Sequence, residues 1–354
     1  MSKQTEQQQL EFPIKTTLAK DLLVFLYSQF FGTPSYPKTS FAGKTIIITG
    51  ANSGLGLEAS RHFYRLGASK LILAVRTVSK GEAAKEDIIK SITTRSDPDA
   101  IQVWPIDVSS TESTLAFSGR VRSSLARVDA LILNAGIQNE TYHASEGYEQ
   151  TIQVNVLNTF LLAFSLLPKL NETKAKFPDS SPHLSFVGSD GHHLTNFPEI
   201  NAPNVYDKLS EKESYNVFSA YMASKLMIVL LMREMAARLS EAVSKETTPG
   251  VVINMVNPGL CASTLGVKEN PPPLPVRILR SVLDRTLEQG SRTYVLGATA
   301  GASSHGEFLS DGKQQDVEGW IYTEVGKRVQ KKVWEQTVPI LEKRSPGILK
   351  EVGL

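Results

Sequence analysis

Short runs of branched apolar residues alternate with longer amphipathic stretches from residue 44 onward. The apolar runs are KTIIIT, KLILAV, IQVWPI, DALILN, HLSFVG and GVVINMV, at residues 44–49, 70–75, 101–106, 129–134, 183–188 and 250–256. Helical patterns begin near residues 54, 79 and 110, and a long one covers 219–242. Strands that alternate with helices form βαβ units with a buried parallel sheet. The pattern therefore predicts an α/β fold with a doubly wound parallel sheet.

Two local signals refine the ends of predicted elements. Ser109 and Glu112 have the spacing of a capping box, so the third helix is predicted to begin just after Ser109. The run PPPLP at 271–275 is predicted to be a loop, because successive prolines enter neither a helix interior nor the middle of a sheet.

The segment before residue 43 lacks the alternating pattern. It is polar at first, then apolar in LLVFLYSQFF at 22–31, and then rich in turn-forming residues. We therefore predict an N-terminal helical extension over 1–42 and a single catalytic domain over 43–345. The apolar part is expected to pack as a helix on the protein's own surface. A dimer contact, a substrate lid and a membrane-surface anchor are the alternatives.

Composition excludes several classes of protein. The 354 residues are 41% hydrophobic and 21% charged, as in globular proteins with a large core. The net charge of +2 provides no broad positive field, so nucleic acid is not an expected partner. Cys261 is the single cysteine, and the first residues lack the pattern of a secretory signal, so we expect a cytoplasmic protein. The apolar runs are shorter than the roughly 20 residues of a transmembrane helix, and none is expected.

A glycine-rich turn follows the first predicted strand. The spacing is G-x-x-x-G-x-G, and the strand leads directly into a helix. Such a turn lets the backbone approach a pyrophosphate, which the helix N-terminus binds, although tight turns between strand and helix need glycine without any ligand. The turn is therefore a candidate dinucleotide site, made of Gly50, Asn52, Ser53, Gly54, Leu55 and Gly56.

Arg76 stands at the end of the second strand, where an NAD-binding protein has an acidic residue about 20 residues beyond the glycines. A guanidinium pairs with a 2′-phosphate, whereas a carboxylate repels it. The sequence therefore predicts NADP(H) as the cofactor, with a solvated surface arginine as the alternative. Two further strand ends, Asp107 with Val108 and Asn134 with Gly136, are placed to contact the cofactor, although either pair is also typical of a simple turn.

Tyr221 and Lys225 lie four residues apart on the long predicted helix, so they share one face. A phenol has a pKa near 10, and a neighbouring ammonium is expected to lower the pKa of Tyr221 and make it a proton donor at neutral pH. Ser189 follows the fifth strand and is a candidate for orienting the substrate oxygen. A tyrosine and a lysine at this spacing also occur on ordinary helix surfaces, so the order of all the motifs carries the inference.

Together these motifs resemble the short-chain dehydrogenase/reductase family over about residues 43–265. The matching segments are TGANSGLG, Asp107-Val108, NAG at 134–136, NVLNTF, Ser189, YMASK and Asn257-Pro258-Gly259. The resemblance implies a Rossmann fold with seven strands. It also implies a catalytic tetrad in which the asparagine holds a water of a proton relay: Asn155, Ser189, Tyr221 and Lys225. Residues expected to face the nicotinamide amide are Pro258, Gly259, Ser263 and Thr264.

Within the family, LEQGSRTYVLGAT at 287–299 and SHGEFLSDGK at 304–313 are most similar to extended retinol-dehydrogenase-like members and to fungal reductases of secondary metabolism. Two residues depart from the family pattern. Gly188 stands where a serine usually precedes the catalytic serine, and Asn158 stands where glycine is common, which puts the backbone geometry around Asn155 in doubt.

The sequence thus predicts an NADPH-dependent ketoreductase that acts on a bulky, mostly apolar small molecule. Insertions at about 190–216 and 260–285 are expected to border an apolar cleft. An alcohol dehydrogenase for a retinoid or steroid, and a non-redox or sensor protein on the same fold, are the alternatives. No metal is expected, because the six histidines show no zinc spacing. A homodimer is a further expectation, through helices around 145–170 and 219–242.

Overall fold

The computed structural model describes residues 11–242, 250–263, 265–266 and 273–354. Eight strands form one sheet in the order β10-β9-β8-β7-β4-β1-β2-β3, and β5 and β6 form a separate hairpin. The strands are β1 (Thr45–Thr49), β2 (Lys70–Val75), β3 (Ile101–Pro105), β4 (Ala130–Leu133), β5 (Ala144–Ser145), β6 (Tyr148–Glu149), β7 (His183–Val187), β8 (Val252–Asn257), β9 (Phe308–Ser310) and β10 (Lys313–Gln315).

The strand order confirms the predicted doubly wound sheet. Seven strands, from β3 to β9 across the sheet, are parallel to their neighbours. The short strand β10 is an eighth, which the sequence did not indicate, and it pairs antiparallel with β9 at the edge. The order of the strands reverses at β1, since β2 and β3 lie on one side of it and β4 on the other. A crevice therefore opens at the carboxyl ends of β1 and β4, as in other open α/β sheets.

Eleven helices accompany the strands in the part of the chain that the structure describes. They are α1 (Leu18–Phe31), α2 (Gly54–Arg65), α3 (Val78–Ser91), α4 (Thr111–Ser124), α5 (Gln150–Ile152), α6 (Thr159–Lys176), α7 (Val205–Leu209), α8 (Val217–Ala242), α9 (Leu274–Leu283), α10 (Leu287–Gly297) and α11 (Glu324–Arg344). A π-helical segment, Gln153–Asn158, joins α5 to α6.

Alternate residues of each central strand face opposite layers of helices. Ile47 packs in one core with side chains of α4, α6, α8 and α11. Its neighbours Ile46 and Ile48 pack in a second core with side chains of α2, α3 and α10. Strand β1 is buried along its whole length, which explains why its sequence is a continuous apolar run rather than an alternation of apolar and polar residues.

Two predicted element ends are wrong. Helix α4 begins one residue later than predicted, because Ser110 caps it by accepting a hydrogen bond from Ser113 N, while Ser109 bonds the Asp107 carboxylate. The segment 271–275 is not wholly a loop, since its last two residues open α9, where prolines need no backbone hydrogen. Residues 271–272 lie outside the described part of the chain.

The helical stretch Gln150–Lys176 is long and apolar enough to cross a membrane by length and composition alone. However, 94% of its most apolar window is buried inside the fold. It is therefore a core helix, and its apolar character reflects burial against the sheet and the neighbouring helices.

Helix α11 covers the two helices that were expected to pair in a homodimer. Trp334 of α11 packs edge-on against Phe164 of α6, with ring centroids 6.0 Å apart. The guanidinium of Arg238, on α8, stacks over the Trp334 ring at 4.9 Å. A dimer through α6 and α8 would have to displace these contacts, and the homodimer stays a prediction.

Candidate active site

The glycine turn after β1 forms a cradle at the N-terminus of α2. Gly50 and Gly54 have left-handed backbone conformations, with φ of +68° and +58°. A Cβ on Gly56 would lie 2.5 Å from Gly50 O, so this position admits only glycine, whereas a Cβ on Gly54 would meet nothing within 4 Å. Ser53 does not use its side chain to cap the helix. The turn therefore presents backbone N–H groups beside open space, which fits a pyrophosphate. Asn52 belongs to the same turn, and Leu55 belongs to the first turn of α2.

Asn134 holds the ends of β1 and β4 together beside this cradle. Its Nδ2 donates to Thr49 O at 2.7 Å, and its Oδ1 accepts from the hydroxyl of Tyr294 at 2.8 Å. Tyr294 is fully buried on α10 and lines the cavity. Sequence reasoning missed Tyr294, because nothing local to α10 indicates a partner 160 residues away. Gly136 follows, close to Asn155.

Arg76 and Asp107 lie just beyond the carboxyl ends of the neighbouring strands β2 and β3. The side chain of Arg76 is exposed, as it must be to meet a ligand at this edge. The carboxylate of Asp107 accepts hydrogen bonds from the backbone and hydroxyl of Ser109. Val108 is buried, and its carbonyl accepts a hydrogen bond from Asn158 Nδ2 at 2.8 Å. This bond gives Asn158 a structural reason to replace the usual glycine.

Asn155 lies in the π-helical segment, which turns its side chain toward the loop after β4. Its Oδ1 accepts from Ile137 N and its Nδ2 donates to Ile137 O, both at 2.9 Å. The Nδ2 also donates to Ser224 Oγ at 3.0 Å, and Ser224 in turn donates to Tyr221 O. Asn155 is thus hydrogen-bonded to the helix that carries the tyrosine and lysine. Its role in holding a water stays a prediction.

The structure brings Ser189, Tyr221 and Lys225 together on one wall of a cavity. Lys225 Nζ lies 5.5 Å from the centre of the Tyr221 ring and donates to Val187 O at 2.9 Å. Ser189 Oγ accepts a hydrogen bond from Gly191 N at 3.0 Å. The Ser189 side chain also interacts with the phenol of Tyr221.

Burial dominates the protonation of this group. It raises the pKa of Tyr221 to about 12, and the hydrogen bond from Ser189 opposes the shift only in part. Burial also lowers the pKa of Lys225 to about 8, because a buried ammonium loses its hydration. The net pKa of Tyr221 is therefore raised and not lowered as expected, because burial outweighs the charge of Lys225. For the pKa values of both side chains, removal from water has a larger effect than the short distance between them.

The backbone around Ser189 is fixed by two close contacts. Ser189 O accepts a hydrogen bond from His192 Nδ1 at 2.7 Å, and burial lowers the pKa of His192 to about 3, so this imidazole is neutral. A Cβ on Gly188 would overlap the side chain of Met255. The Met255 side chain, on β8, therefore fills the space that a side chain at position 188 would need. This explains why glycine stands here in place of the expected serine.

The turn after β8 brings the N-terminal helix into the site. Gly259 has a left-handed φ of +75°, and a Cβ there would lie 2.6 Å from both Arg285 Nη1 and Gln29 Oε1. Gln29 belongs to α1, and its Nε2 donates to Leu260 O at 3.0 Å. Pro258 and Ser263 line the cavity. Thr264 lies outside the described residues.

One cavity of about 1490 Å³ is lined by Ser189, Tyr221 and Lys225 and by residues of α1 and α9. Leu22 and Phe25 of α1 and Val276 of α9 contribute apolar side chains to it. The extension at the N-terminus is therefore a wall of the site and not a separate appendage. Helix α1 thus packs on the protein's own surface, as expected, and a role as a substrate lid stays a prediction.

Several charged groups line this cavity among the described residues. Asp190, next to Ser189, is one, and burial raises its pKa against a hydrogen bond from Asn257 that lowers it. Asp21, His193 and Glu318 form a small cluster in which Glu318 Oε2 lies 3.0 Å from His193 Nδ1. Their ligand atoms lie within 4.8 Å of one another, but these groups bond each other and assign no metal. The expected absence of a metal stays a prediction.

Comparison with known proteins agrees with this geometry. The family profile described as short chain dehydrogenase matches residues 44–176. The short chain dehydrogenase/reductase dmxR8 of Cryptosporiopsis sp. (strain 8999) is 41% identical over 330 residues, which cover 92% of this chain and 98% of that protein. The short-chain dehydrogenase anuD of Penicillium roqueforti is 37% identical, over 95% of this chain and 87% of that protein.

A solved structure supports the fold. The putative short chain dehydrogenase of Escherichia coli CFT073, complexed with NADPH, superposes with a TM-score of 0.56 at 22% identity, over 78% of this chain and 99% of that chain. The relatives dmxR8 and anuD both span most of this chain at well over 30% identity. The chain therefore belongs to the short-chain dehydrogenase/reductase family and is an oxidoreductase.

Proposed function

We propose that the protein is an NADPH-dependent ketoreductase that reduces a carbonyl group of a bulky, mostly apolar small molecule. The observation that carries this proposal is the shared cavity. Ser189, Tyr221 and Lys225 line it together with apolar side chains of α1 and α9. Its volume of about 1490 Å³ includes the space beside Asn134, Pro258 and Gly259 where the cofactor would lie, and apolar side chains of α1 and α9 line another part of it.

The cofactor would be held by the cradle of glycines, by Asn134 and by the turn at Pro258 and Gly259. The open space beside Gly54 at the N-terminus of α2 suits a pyrophosphate. NADP(H) is proposed over NAD(H) because the exposed guanidinium of Arg76 stands at the end of β2, and the residues between it and Glu82 include no carboxylate. The reduced nicotinamide, when bound, supplies the hydride for the carbonyl carbon.

The residues of the site then complete the reduction. Tyr221 donates its phenolic proton to the carbonyl oxygen as that oxygen gains negative charge. The hydroxyl of Ser189, whose oxygen already accepts the Gly191 N–H, donates a second hydrogen bond to the same oxygen and orients it. The net change is the addition of one hydride and one proton across the C=O bond.

Lys225 supports this transfer from the next turn of the helix. Its pKa of about 8 leaves it cationic at neutral pH, so its charge favours the phenolate that Tyr221 forms after giving up its proton. Its Nζ is held by Val187 O. The ammonium is therefore fixed in place before a substrate arrives. Asn155, through Ser224, keeps the helix in register with the loop after β4.

The direction of reaction rests on the cofactor. Cells keep the NADP pool mostly reduced, so an enzyme that selects it runs toward carbonyl reduction. We place the enzyme in the cytosol, which its single, buried cysteine supports, since proteins of oxidising compartments use disulfides. A role in secondary metabolism is part of the proposal, and its support is the resemblance of residues 287–299 and 304–313 to fungal reductases of that kind.

The cofactor assignment is tested by fluorescence titration with NADPH and NADH. The wild type should bind NADPH more tightly, and Arg76→Asp should lose or reverse that preference. Arg122→Asp changes the charge of another exposed arginine, on α4, and should leave the preference intact. Equal affinity of the wild type for both cofactors would contradict the assignment.

The substrate class is tested by a panel of bulky and small ketones with NADPH, followed by nicotinamide absorbance. Rapid reduction of bulky apolar ketones is expected, because they fill the cavity between the catalytic wall and α1. Reduction of small polar aldehydes alone would argue against the large substrate. Product formation without nicotinamide oxidation would instead indicate a non-redox reaction.

A further inference from the structure

The described structure concentrates its exposed apolar side chains around the mouth of the catalytic cavity. Six lie on α1 and five on α9, and four others line the cavity itself. On the helices they are Leu22, Leu23, Val24, Tyr27, Phe30, Phe31, Leu274, Val276, Ile278, Leu279 and Val282. Contiguous apolar patches on a protein surface mark binding sites. We call the outer faces of α1 and α9 the mouth surface.

Helix α1 divides its residues between the cavity and the outside. Asp21, Phe25 and Ser28, at helical spacing, line the cavity. On the other side Leu23 and Phe31 are 70% and 74% exposed. The outer aromatic side chains pack on one another, with ring centroids 5.4 Å apart for Tyr27 and Phe31 and 6.3 Å apart for Phe30 and Phe31. Each of the three is nevertheless more than half exposed in the part of the protein that the structure describes.

Helix α9 is apolar around most of its circumference and yet lies on the outside. Leu283 is the buried residue at its end, and Ile278, Leu279 and Val282 are each more than half exposed. It adjoins α1, because Gln29 Nε2 donates to both Leu260 O and Leu283 O, the latter at 2.8 Å. The two helices therefore expose their apolar faces side by side at the cavity mouth.

The charges at the mouth surface are positive. Arg277 on α9 and Lys15, just before α1, are exposed. Asp21 turns inward to His193, and Asp284 pairs with Arg280 at 2.9 Å. Among the described side chains of the two helices, no carboxylate is exposed, and the exposed Asp316 that lines the cavity belongs to neither helix. Such a surface suits an anionic partner better than a second copy of itself, since a symmetric contact places the same positive surface against itself.

We propose that α1 and α9 dock on an anionic phospholipid surface, with the mouth of the catalytic cavity against the lipid. Apolar helix faces enter the boundary between headgroups and acyl chains, and flanking basic residues attract anionic lipids. The inference goes beyond the proposed reaction and does not depend on it, because its readout is binding to vesicles. Its physical consequence is that an apolar molecule dissolved in the lipid reaches the cavity without crossing water.

The test is co-sedimentation of the full-length protein with vesicles of phosphatidylcholine, with and without one fifth phosphatidylserine. The wild type should bind the anionic vesicles more tightly, and Phe31→Ser combined with Ile278→Ser should weaken binding at least tenfold. Arg277→Gln should weaken binding to anionic vesicles about fivefold, as expected for the loss of one basic charge, and leave binding to neutral vesicles unchanged. Val78→Ser, at an exposed apolar position on α3, is the matched control and should bind as the wild type does.

Three results would overturn the proposal. The first is a wild type that stays in the supernatant with both kinds of vesicle. The second is equal binding by the wild type and the Phe31→Ser/Ile278→Ser variant, with both folded by circular dichroism. The third is a wild type that does not bind lipid but forms a dimer in light scattering, while the variant is monomeric. This result would assign the mouth surface to a contact with a second copy. NADPH titration of each variant separates these results from a failure of the reaction assignment.

Discussion

Arg285 and Asp311 form a buried ion pair that fastens helix α1 over the catalytic cavity, with 2.6 Å between Arg285 Nη2 and Asp311 Oδ1. The same guanidinium nitrogen donates to the carbonyls of Ser28 and Gly32, at 2.7 and 2.8 Å. Asp311 accepts the Ser28 hydroxyl at 2.6 Å. One cation from the loop after α9 thus joins the end of α1 to the edge of the sheet.

Arg285→Ala should destabilise the protein by about 3–5 kcal/mol, because it leaves Asp311 buried without its cation. The end of α1 should also loosen, since two carbonyl groups lose their donor. Chemical denaturation measures the first effect, and limited proteolysis within residues 22–31 measures the second. For a bulky ketone, KM should rise more than kcat falls.

Arg122→Ala is the control for that experiment. Arg122 pairs with Glu351 at 3.0 Å, but both side chains are about half exposed. Exposed ion pairs contribute only about 0–1 kcal/mol, so this variant should unfold and resist protease much as the wild type does. Equal destabilisation by Arg285→Ala and Arg122→Ala would show that the buried pair does not hold α1.

Tyr221→Phe should reduce turnover by about 10²–10⁴-fold, because it removes the proton donor and nothing else. NADPH affinity and the free energy of unfolding should stay close to the wild-type values. Steady-state kinetics with an accepted ketone, together with NADPH titration, measure both. Tyr27→Phe, on the exposed face of α1, is the matched control. Turnover near the wild-type rate in Tyr221→Phe would exclude the phenol as the acid.

The sheet and the positions of Tyr221 and Lys225 could be predicted because local pattern determines them. A continuous apolar run such as residues 45–49 is typical of a strand buried on both faces, and a spacing of four places two side chains on one helix face. Their pKa values could not be predicted in this way. Spacing shows proximity, whereas burial, which raises one pKa and lowers the other, depends on the whole fold.

The place of α1 was equally beyond local pattern. Its anchor, Arg285, lies 257 residues from Ser28 in the sequence, and an arginine in a loop carries no sign of its partner. The apolar residues of α1 did not show where the helix packs. The same residues can pack on the helix's own fold, on a second copy of the protein or on lipid. The glycine at position 188 could not be explained from local sequence either, because the side chain that requires it, Met255, lies on another strand.

Gly188→Ser should destabilise the protein by about 1–3 kcal/mol, because the new side chain overlaps Met255. In the background of Met255→Ala the same substitution should cost much less, since the space is then free. Chemical denaturation of the two single variants and the double variant gives their coupling energy. Additive effects of the two substitutions would mean that Met255 does not set the requirement for glycine.

Lys225→Met should abolish most turnover and yet stabilise the folded protein at pH 7, by about 3 kcal/mol for a pKa lowered from 10.5 to about 8. The reason is that the fold holds a buried ammonium whose hydration is lost, whereas methionine has a similar length and no charge. Thermal unfolding of the wild type and the variant, over a series of pH values, measures the difference.

That difference should depend on pH in a definite direction. Between about pH 8 and 10.5 the unfolded chain keeps the Lys225 proton that the folded chain has lost, so the stability of the wild type rises with pH in this window. The advantage of Lys225→Met is therefore largest below pH 8 and shrinks toward pH 10.5. Tyr221, with its pKa raised to about 12, destabilises both proteins as the pH climbs above 10, so its effect cancels in the comparison. A difference that is constant from pH 7 to 10 would show that Lys225 is not buried as an ammonium.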